Sequence, residues 1–315
     1  MAVMTNAPFT LSSPTLSSRA WVELILLSFI WGGSFLAVRI ALDEIPFITT
    51  VAFRVGIAAL VLWVYVAIRR LPVPRDPKIW GALLMMGLLN NVLPFSLMAW
   101  GQLHIETGLT SILNAGTAVF GVLTAAIFLA DERLTMRRAI GVGLGFLGVA
   151  TAIGLENLAN FDIRSAAQLA VVTGTVCYAL AGVWARVNLR GLAPQVSAAG
   201  MLTGSSLVMI PAALWIDGPV MPQQADTILA IAYYAVIATA VAYLLYFRVL
   251  AIAGSGNTML CTLMVAPVAI LLGAWVRGEV LSPNVYAGFA LLAIGLLIMD
   301  GRLLHRLRAR ATSRR

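Results

Sequence analysis

Arg54 is the single basic residue within an apolar stretch running from Phe47 to Ile68. An ionised side chain about seven residues from the end of a span, or ~10 Å at ~1.5 Å per residue, is costly in hydrocarbon unless it meets a partner or water. It reads either as a dock for a substrate carboxylate or as a structural guanidinium, bound to helix-end carbonyls or snorkelling outward. Asn90 and Asn91 stand mid-run ahead of Pro94 and Phe95. Adjacent amides cannot share one helix face, so one is expected to point into a cavity while the other bonds a neighbouring helix. Pro94 frees the carbonyl of Asn90, four residues back. Asn114, with Thr110 and Thr117 at helical spacing, draws a polar stripe that either lines a cavity or bonds neighbouring helices. Trp31 and Tyr178 fall near the middle of their runs, where a ring with a polar atom needs a partner or water; they are cavity walls or packing elements. Tyr243 and Tyr246, three apart, form a similar wall. Trp21, Trp63, Trp80 and Trp100 lie toward run ends and read as interfacial anchors.

Catalysis would need a nucleophile, base or metal constellation. The histidines are His104, in a connection, and His305, in the tail, and Cys177 and Cys261 sit inside apolar runs. An enzyme is therefore not expected, nor a cofactor or metal.

The elements that must position these residues follow from composition. Of 315 residues, 61% are hydrophobic and 11% charged, where a soluble domain carries about 25% charged residues. The chain reads as an all-α integral membrane protein. Apolar runs give ten candidate spans: 20–40, 47–68, 79–100, 107–130, 136–155, 166–187, 196–216, 228–249, 258–276 and 284–303. No room remains for an extramembrane domain, which excludes a nucleic-acid module despite a pI near 10.2. The first 18 residues have no positive n-region and are expected to be a disordered tail rather than a signal peptide.

With the N-terminus inside, 17 of the 21 Lys and Arg residues fall on cytoplasmic segments, and only Arg39, Arg164 and Arg277 face out. Both termini are thus expected in the cytoplasm, with anionic lipid as the neighbour of the basic face.

Sliding the chain by 147 positions pairs Arg39 with Arg186, Glu132 with Glu279, Leu134 with Leu281, Thr135 with Ser282, Gly141 with Gly288 and Gly148 with Gly295. Charged and glycine pairs at one offset mark an internal repeat. Each half holds five spans, an odd number, so the second enters the membrane from the opposite side. The halves are expected over 20–155 and 166–303, between tails over 1–19 and 304–315. Two inverted five-helix repeats are the architecture of secondary transporters, with a midplane site between rocking halves.

Trp31-Gly32-Gly33-Ser34-Phe35, Phe53-Arg54, and Glu132-Arg133-Leu134-Thr135 with Gly141 and Gly148 resemble the EamA family of the drug/metabolite transporter superfamily. The second half repeats the last element as Glu279-Val280-Leu281-Ser282 with Gly288 and Gly295, but reads Tyr178-Ala179-Leu180-Ala181 in place of Trp-Gly. The resemblance covers about residues 20 to 303. It implies export of amino acids or other small metabolites across the bacterial inner membrane, and we expect the chain to work as a monomer.

Glycine seams assign spans 5 and 10 to the scaffold, leaving the pocket to spans 1–4 and 6–9. Thr135 and Ser282-Pro283 start those two helices, and Glu132 and Glu279 are expected to partner nearby arginines. The central thirds of the spans contain no Asp or Glu. Facilitated efflux is the expectation, against proton-coupled antiport through Glu23 or Glu106, or a passive channel.

Overall fold

In hydrocarbon every backbone N–H and C=O must be satisfied within its own segment, so an apolar run of ~20 residues folds as a helix. The computed structural model describes residues 18–129, 134–154, 162–253 and 255–300 and forms ten helical rods. They are α1 (Ser18–Ala41), α2 (Phe47–Ile68), α3 (Pro77–Gly101), α4 (Thr107–Phe128, broken at Gly116), α5 (Met136–Ile153), α6 (Ile163–Asn188), α7 (Pro194–Ile216), α8 (Ala225–Ala232, Tyr233–Val241 and Ala242–Ala253 in succession), α9 (Ser255–Arg277) and α10 (Pro283–Asp300). Eight are long and apolar enough to cross a bilayer, and the described apolar parts of α9 and α10 are shorter. Among the described residues there is no strand. Of the expected tails, only Ser18 and Arg19 are described, and they open α1. Glu132 and His305 lie outside the described residues.

Several helices begin where the sequence supplies a cap. Asp76 Oδ1 accepts from the Lys78 amide at 2.9 Å ahead of Pro77, and Thr135 Oγ1 accepts from the Arg138 amide at 3.3 Å. Asp162 accepts from the Ser165 amide at 2.8 Å, which starts α6 three residues before the expected 166. That bond holds the Asp162 carboxyl below the usual aspartate range.

The 147 offset carries α2 onto 194–215, beside Pro194–Ile216, and α5 onto 283–300, the span of α10. Packing follows the same relation: α3 lies against α7 as α8 lies against α2, and α6 against α3 as α1 against α8. Pairs α2–α7 and α5–α10, each made of symmetry mates, sit on the pseudo-twofold axis. The last of these is the most extensive contact in the bundle, and it depends on glycine. A Cβ added at Gly148 would lie 2.6 Å from the Leu292 amide nitrogen, and one at Gly288 would lie 2.6 Å from the Gly148 carbonyl oxygen. The two backbones therefore touch, as small-residue seams allow, and α5 and α10 stay at the rim of the bundle.

An even number of rods places both ends of the described chain at one face, here called the terminal face; the turns after α1, α3, α5, α7 and α9 share the opposite, far face. Contacts across the bundle agree, since each far-face polar tie below joins two of these turns or the helix ends beside them.

Candidate functional site

Pro94 has no N–H to offer the Asn90 carbonyl, and the backbone answers with a π turn over Leu88–Val92 inside α3. A second π segment, Tyr233–Val241, interrupts α8. Shifted by 147, the first falls inside the second, so each half carries a widened helix at the same depth. Between them lies a cavity of about 650 Å³, lined from α1, α2, α3, α4, α6, α7, α8 and α9.

Arg54 projects from α2 into this cavity. Its Nε donates to Thr239 Oγ1 at 3.0 Å. The Thr239 hydroxyl itself donates to the Tyr234 carbonyl, five residues back across the π segment, at 2.7 Å, which turns an oxygen lone pair toward the guanidinium. The Arg54 Cζ stands 3.9 Å from the Phe95 ring centroid, a cation–π contact. Neither contact supplies negative charge. Among the described residues no carboxylate reaches Arg54, no helix-end carbonyl bonds it, and no Asp or Glu lines the cavity. Among the described residues its two terminal amino groups have no hydrogen-bond partner, which leaves a fork of the kind that can receive a carboxylate bidentately.

Asn90 and Asn91 divide as adjacent amides must. Asn90 lines the cavity and donates to Tyr243 Oη at 3.1 Å and to Asn91 Oδ1 at 3.3 Å. Asn91 is fully buried behind the lining, where it donates to Ser205 Oγ of α7 at 2.9 Å and accepts from Tyr243 Oη at 3.2 Å. Of the two candidates, Asn91 is therefore the one that bonds a neighbouring helix, one layer behind the lining, where it holds Tyr243.

The aromatic candidates come together. Trp31 packs on Tyr246 with ring centroids 5.6 Å apart, and Phe95 meets Tyr178 edge-on at 6.4 Å; all four line the cavity with Tyr243. Gly33, of the Trp31-Gly32-Gly33 element, accounts for part of that geometry. A Cβ there would stand 2.6 Å from Tyr233 Oη, whose hydroxyl donates to the Ile30 carbonyl at 2.9 Å. On α4, Asn114 and Thr117 line the cavity. Thr110 does not; it is buried and donates to the Glu106 carbonyl. The Asn114 carboxamide oxygen is buried without a hydrogen-bond partner.

The lining is twofold in position and not in exposure. Phe35 and Gly182, Val38 and Ala185, and Thr50 and Ser197 are mates at the 147 offset, and all six line the cavity. Val38 and Thr50, toward the far face, are buried, at 7% and 1% exposure. Their mates Ala185 and Ser197 are half-buried, and Gly182 and Pro194 are exposed. The cavity opens at the terminal face and is shut at the far face.

What shuts it is polar. Gln102 is buried, donates to the Phe35 carbonyl at 3.1 Å, and lines both the central cavity and a far-face chamber of about 290 Å³. Around that chamber the halves are tied together. Asp43 pairs with Arg277 at 2.5 Å, Glu106 pairs with Arg164 at 2.7 Å, and Asp217 accepts from the Thr49 hydroxyl at 2.7 Å. Glu44 accepts from the amides of Gln223 and Gln224. Glu279 accepts from the amides of Thr107 and Gly108 at 3.0 and 3.2 Å, capping α4. This corrects the expectation of an arginine partner: a carboxylate on a helix N-terminus satisfies otherwise orphaned amides. Glu23, the other possible proton site, is 5% exposed and pairs with Arg248 at the terminal face.

Thr239, Gln102, Met201 and Ser197 are lining residues that sequence reasoning missed. The offset contained a signal for one of them, since Met201 is the mate of Arg54, and none for Ser197, whose mate Thr50 was not a candidate. Thr239 and Gln102 carried none.

Comparison with known proteins places this arrangement. Residues 20–154 and 165–299 each match the EamA-like transporter family. The probable terminal-alkyne amino-acid exporter of Streptantibioticus cattleyicolor is 26% identical over 302 residues, covering 94% of this chain and 98% of that protein. The transporter YoaV of Bacillus subtilis is 20% identical over 284 residues, covering 89% and 96%. Protein PagO of Salmonella typhimurium is 22% identical over 282 residues, covering 88% and 91%. A solved crystal structure superposes with a TM-score of 0.65 at 17% identity, over 90% of this chain and 97% of that one, and shares the fold. The chain belongs to the EamA-like transporter family, and is a multi-pass membrane transporter of small molecules rather than an enzyme.

Proposed function

We propose that this transporter exports small carboxylate-bearing metabolites, amino acids and their relatives, from the bacterial cytoplasm by alternating access. One observation carries the reading: a cavity between the halves that holds an arginine without a carboxylate, open at one face and closed by polar ties at the other. The positive-inside distribution supports assigning the terminal face to the cytoplasm, which makes the described state inward-open and ready to load. Both termini then lie in the cytoplasm of an inner-membrane protein. Its basic face meets anionic lipid rather than nucleic acid. Because the halves are inverted mates, exchange of their conformations would open the far face and close the terminal one. The cavity is complete within one chain, which supports a functional monomer. The relation to an amino-acid exporter supports the substrate class.

The decisive measurement is mass spectrometry of medium against cytoplasm after overexpression and after deletion. A small carboxylate should leave the cells faster with the gene in excess and accumulate inside without it. No difference in any such compound would refute efflux.

A further inference from the structure

We infer that the cavity selects singly charged carboxylates with an apolar body whose amine is acylated or absent, over zwitterionic amino acids. This rests on the reading of Arg54 as a carboxylate dock and goes beyond it. The central cavity carries one fixed charge, the Arg54 guanidinium, and no Asp or Glu among its lining residues. One monoanion neutralises that charge. A zwitterion brings an ammonium attached to the carbon that bears the carboxylate, so docking the carboxylate on Arg54 holds the ammonium close to the guanidinium, with no acid to receive it.

The aromatic lining offers an ammonium ring faces rather than an acid, and part of it is already committed. One face of Phe95 is taken by Arg54, and Trp31 packs against Tyr246. Asn114 offers a polar group of another kind. The Asn114 carboxamide lines the cavity, and its buried oxygen has no hydrogen-bond partner. A neutral carboxamide at the lining can meet a neutral amide of the substrate without adding a second positive charge beside Arg54. The rings of Trp31, Tyr178 and Tyr246 suit an apolar body, which one guanidinium and few other donors cannot balance against a multiply charged anion such as a phosphate monoester.

Three probes share one phenylethyl body and differ in charge: N-acetyl-L-phenylalanine is an anion, L-phenylalanine a zwitterion and phenethylamine a cation. Counterflow and equilibrium binding are measured on the purified full-length chain at neutral pH. The expected result is N-acetyl-L-phenylalanine ahead of L-phenylalanine by about tenfold or more, the factor that ~1.4 kcal/mol confers, with phenethylamine weakest. In Arg54→Gln the order should collapse. If that variant does not fold, the wild-type order alone decides. Phenylalanine equal to or tighter than its N-acetyl form overturns this inference and leaves carboxylate efflux standing. No binding or counterflow of any of the three overturns the small-carboxylate reading as well.

Discussion

Arg54 and Met201 stand 147 positions apart, on mated helices, and line the same cavity. The fold therefore offers two equivalent places for a charge and uses one. Charge-assisted hydrogen bonds are worth about 1.5–3 kcal/mol, so Arg54→Gln should lower carboxylate flux by roughly 10- to 100-fold while the folded yield stays near wild type. Arg54→Met with Met201→Arg moves the charge to the mate and should recover part of the flux. Exchange rates in proteoliposomes, normalised to the gel-filtration peak, make the measurement. A proportional loss of folded protein and flux in Arg54→Gln would make the residue structural.

The glycine seam predicts a contrast between two similar changes. Gly148→Ala drives a methyl against the Leu292 backbone, whereas nothing lies within 4 Å of a Cβ at Gly121. Overpacking costs about 1–3 kcal/mol when the neighbour cannot move, and a backbone cannot. Gly148→Ala should thus melt well below wild type in detergent, and Gly121→Ala should match it. Equal melting of the two would separate α5 from α10.

Much of this was legible in the sequence. Ten spans, the repeat and its inversion follow from apolar runs and one offset, because hydrocarbon forces each run into a helix and confines nearly all charge to its ends. The cavity-lining candidates Trp31, Arg54, Tyr178 and Tyr243 were legible too, since a polar or amphipathic group at mid-depth has few other places to go. Asn91 was harder. Which of two adjacent amides faces inward depends on the rotation set by the π turn, and periodicity of 3.6 does not hold through it. Thr239 gave no sign for the same reason, as its role depends on the carbonyl of Tyr234 five residues back. Glu279 reads like an arginine partner in sequence because a helix N-terminus from another part of the chain is not visible there.

The far-face ties predict how the resting state is held. Asp43 and Arg277 are partly exposed, at 39% and 31% for their side chains, so the pair contributes about 0.2–1 kcal/mol. With Cys177 and Cys261 replaced, cysteine at Thr50 should label slowly from the far face and cysteine at Ser197 readily from the terminal face. Asp43→Asn should raise the first rate a few-fold and lower the second, by shifting the population between the two states. High salt should mimic the mutation. Equal labelling of both positions in wild type would exclude the inward-open description.

Glu44 gives the same face a pH dependence. Hydrogen bonds from Thr227 and from the Gln223 and Gln224 amides hold its carboxyl below the usual glutamate range. A lowered folded pKa means that its contribution is fully present above the unfolded pKa and is lost as pH falls through the folded one. The wild-type melting temperature should exceed that of Glu44→Gln at neutral pH, and the difference should begin to shrink as pH falls through about 4 and vanish only at lower pH, below the folded pKa. A gap that persists at acid pH would assign the effect to something other than ionisation.

Energy coupling is the remaining question, and the cavity narrows it. A proton antiporter needs an ionisable group that proton and substrate reach in turn. Among the described residues no acid lines the central cavity, Arg54 keeps its proton, and Glu23 is buried in an ion pair with Arg248. A monoanion leaving the cytoplasm moves toward the positive side of the membrane, and each charge crossing gains about 2.3 kcal/mol per 100 mV. On the carboxylate reading, the potential itself would drive export, with no proton site required. In proteoliposomes loaded with N-acetyl-L-phenylalanine, a potassium diffusion potential, negative inside, should accelerate efflux. Imposing a pH gradient with the potential clamped should change it little. L-Phenylalanine, carrying no net charge, should respond to neither. Accumulation of the zwitterion against its gradient, abolished by a protonophore at clamped potential, would require a proton site elsewhere in the chain, with Glu23 the first to substitute.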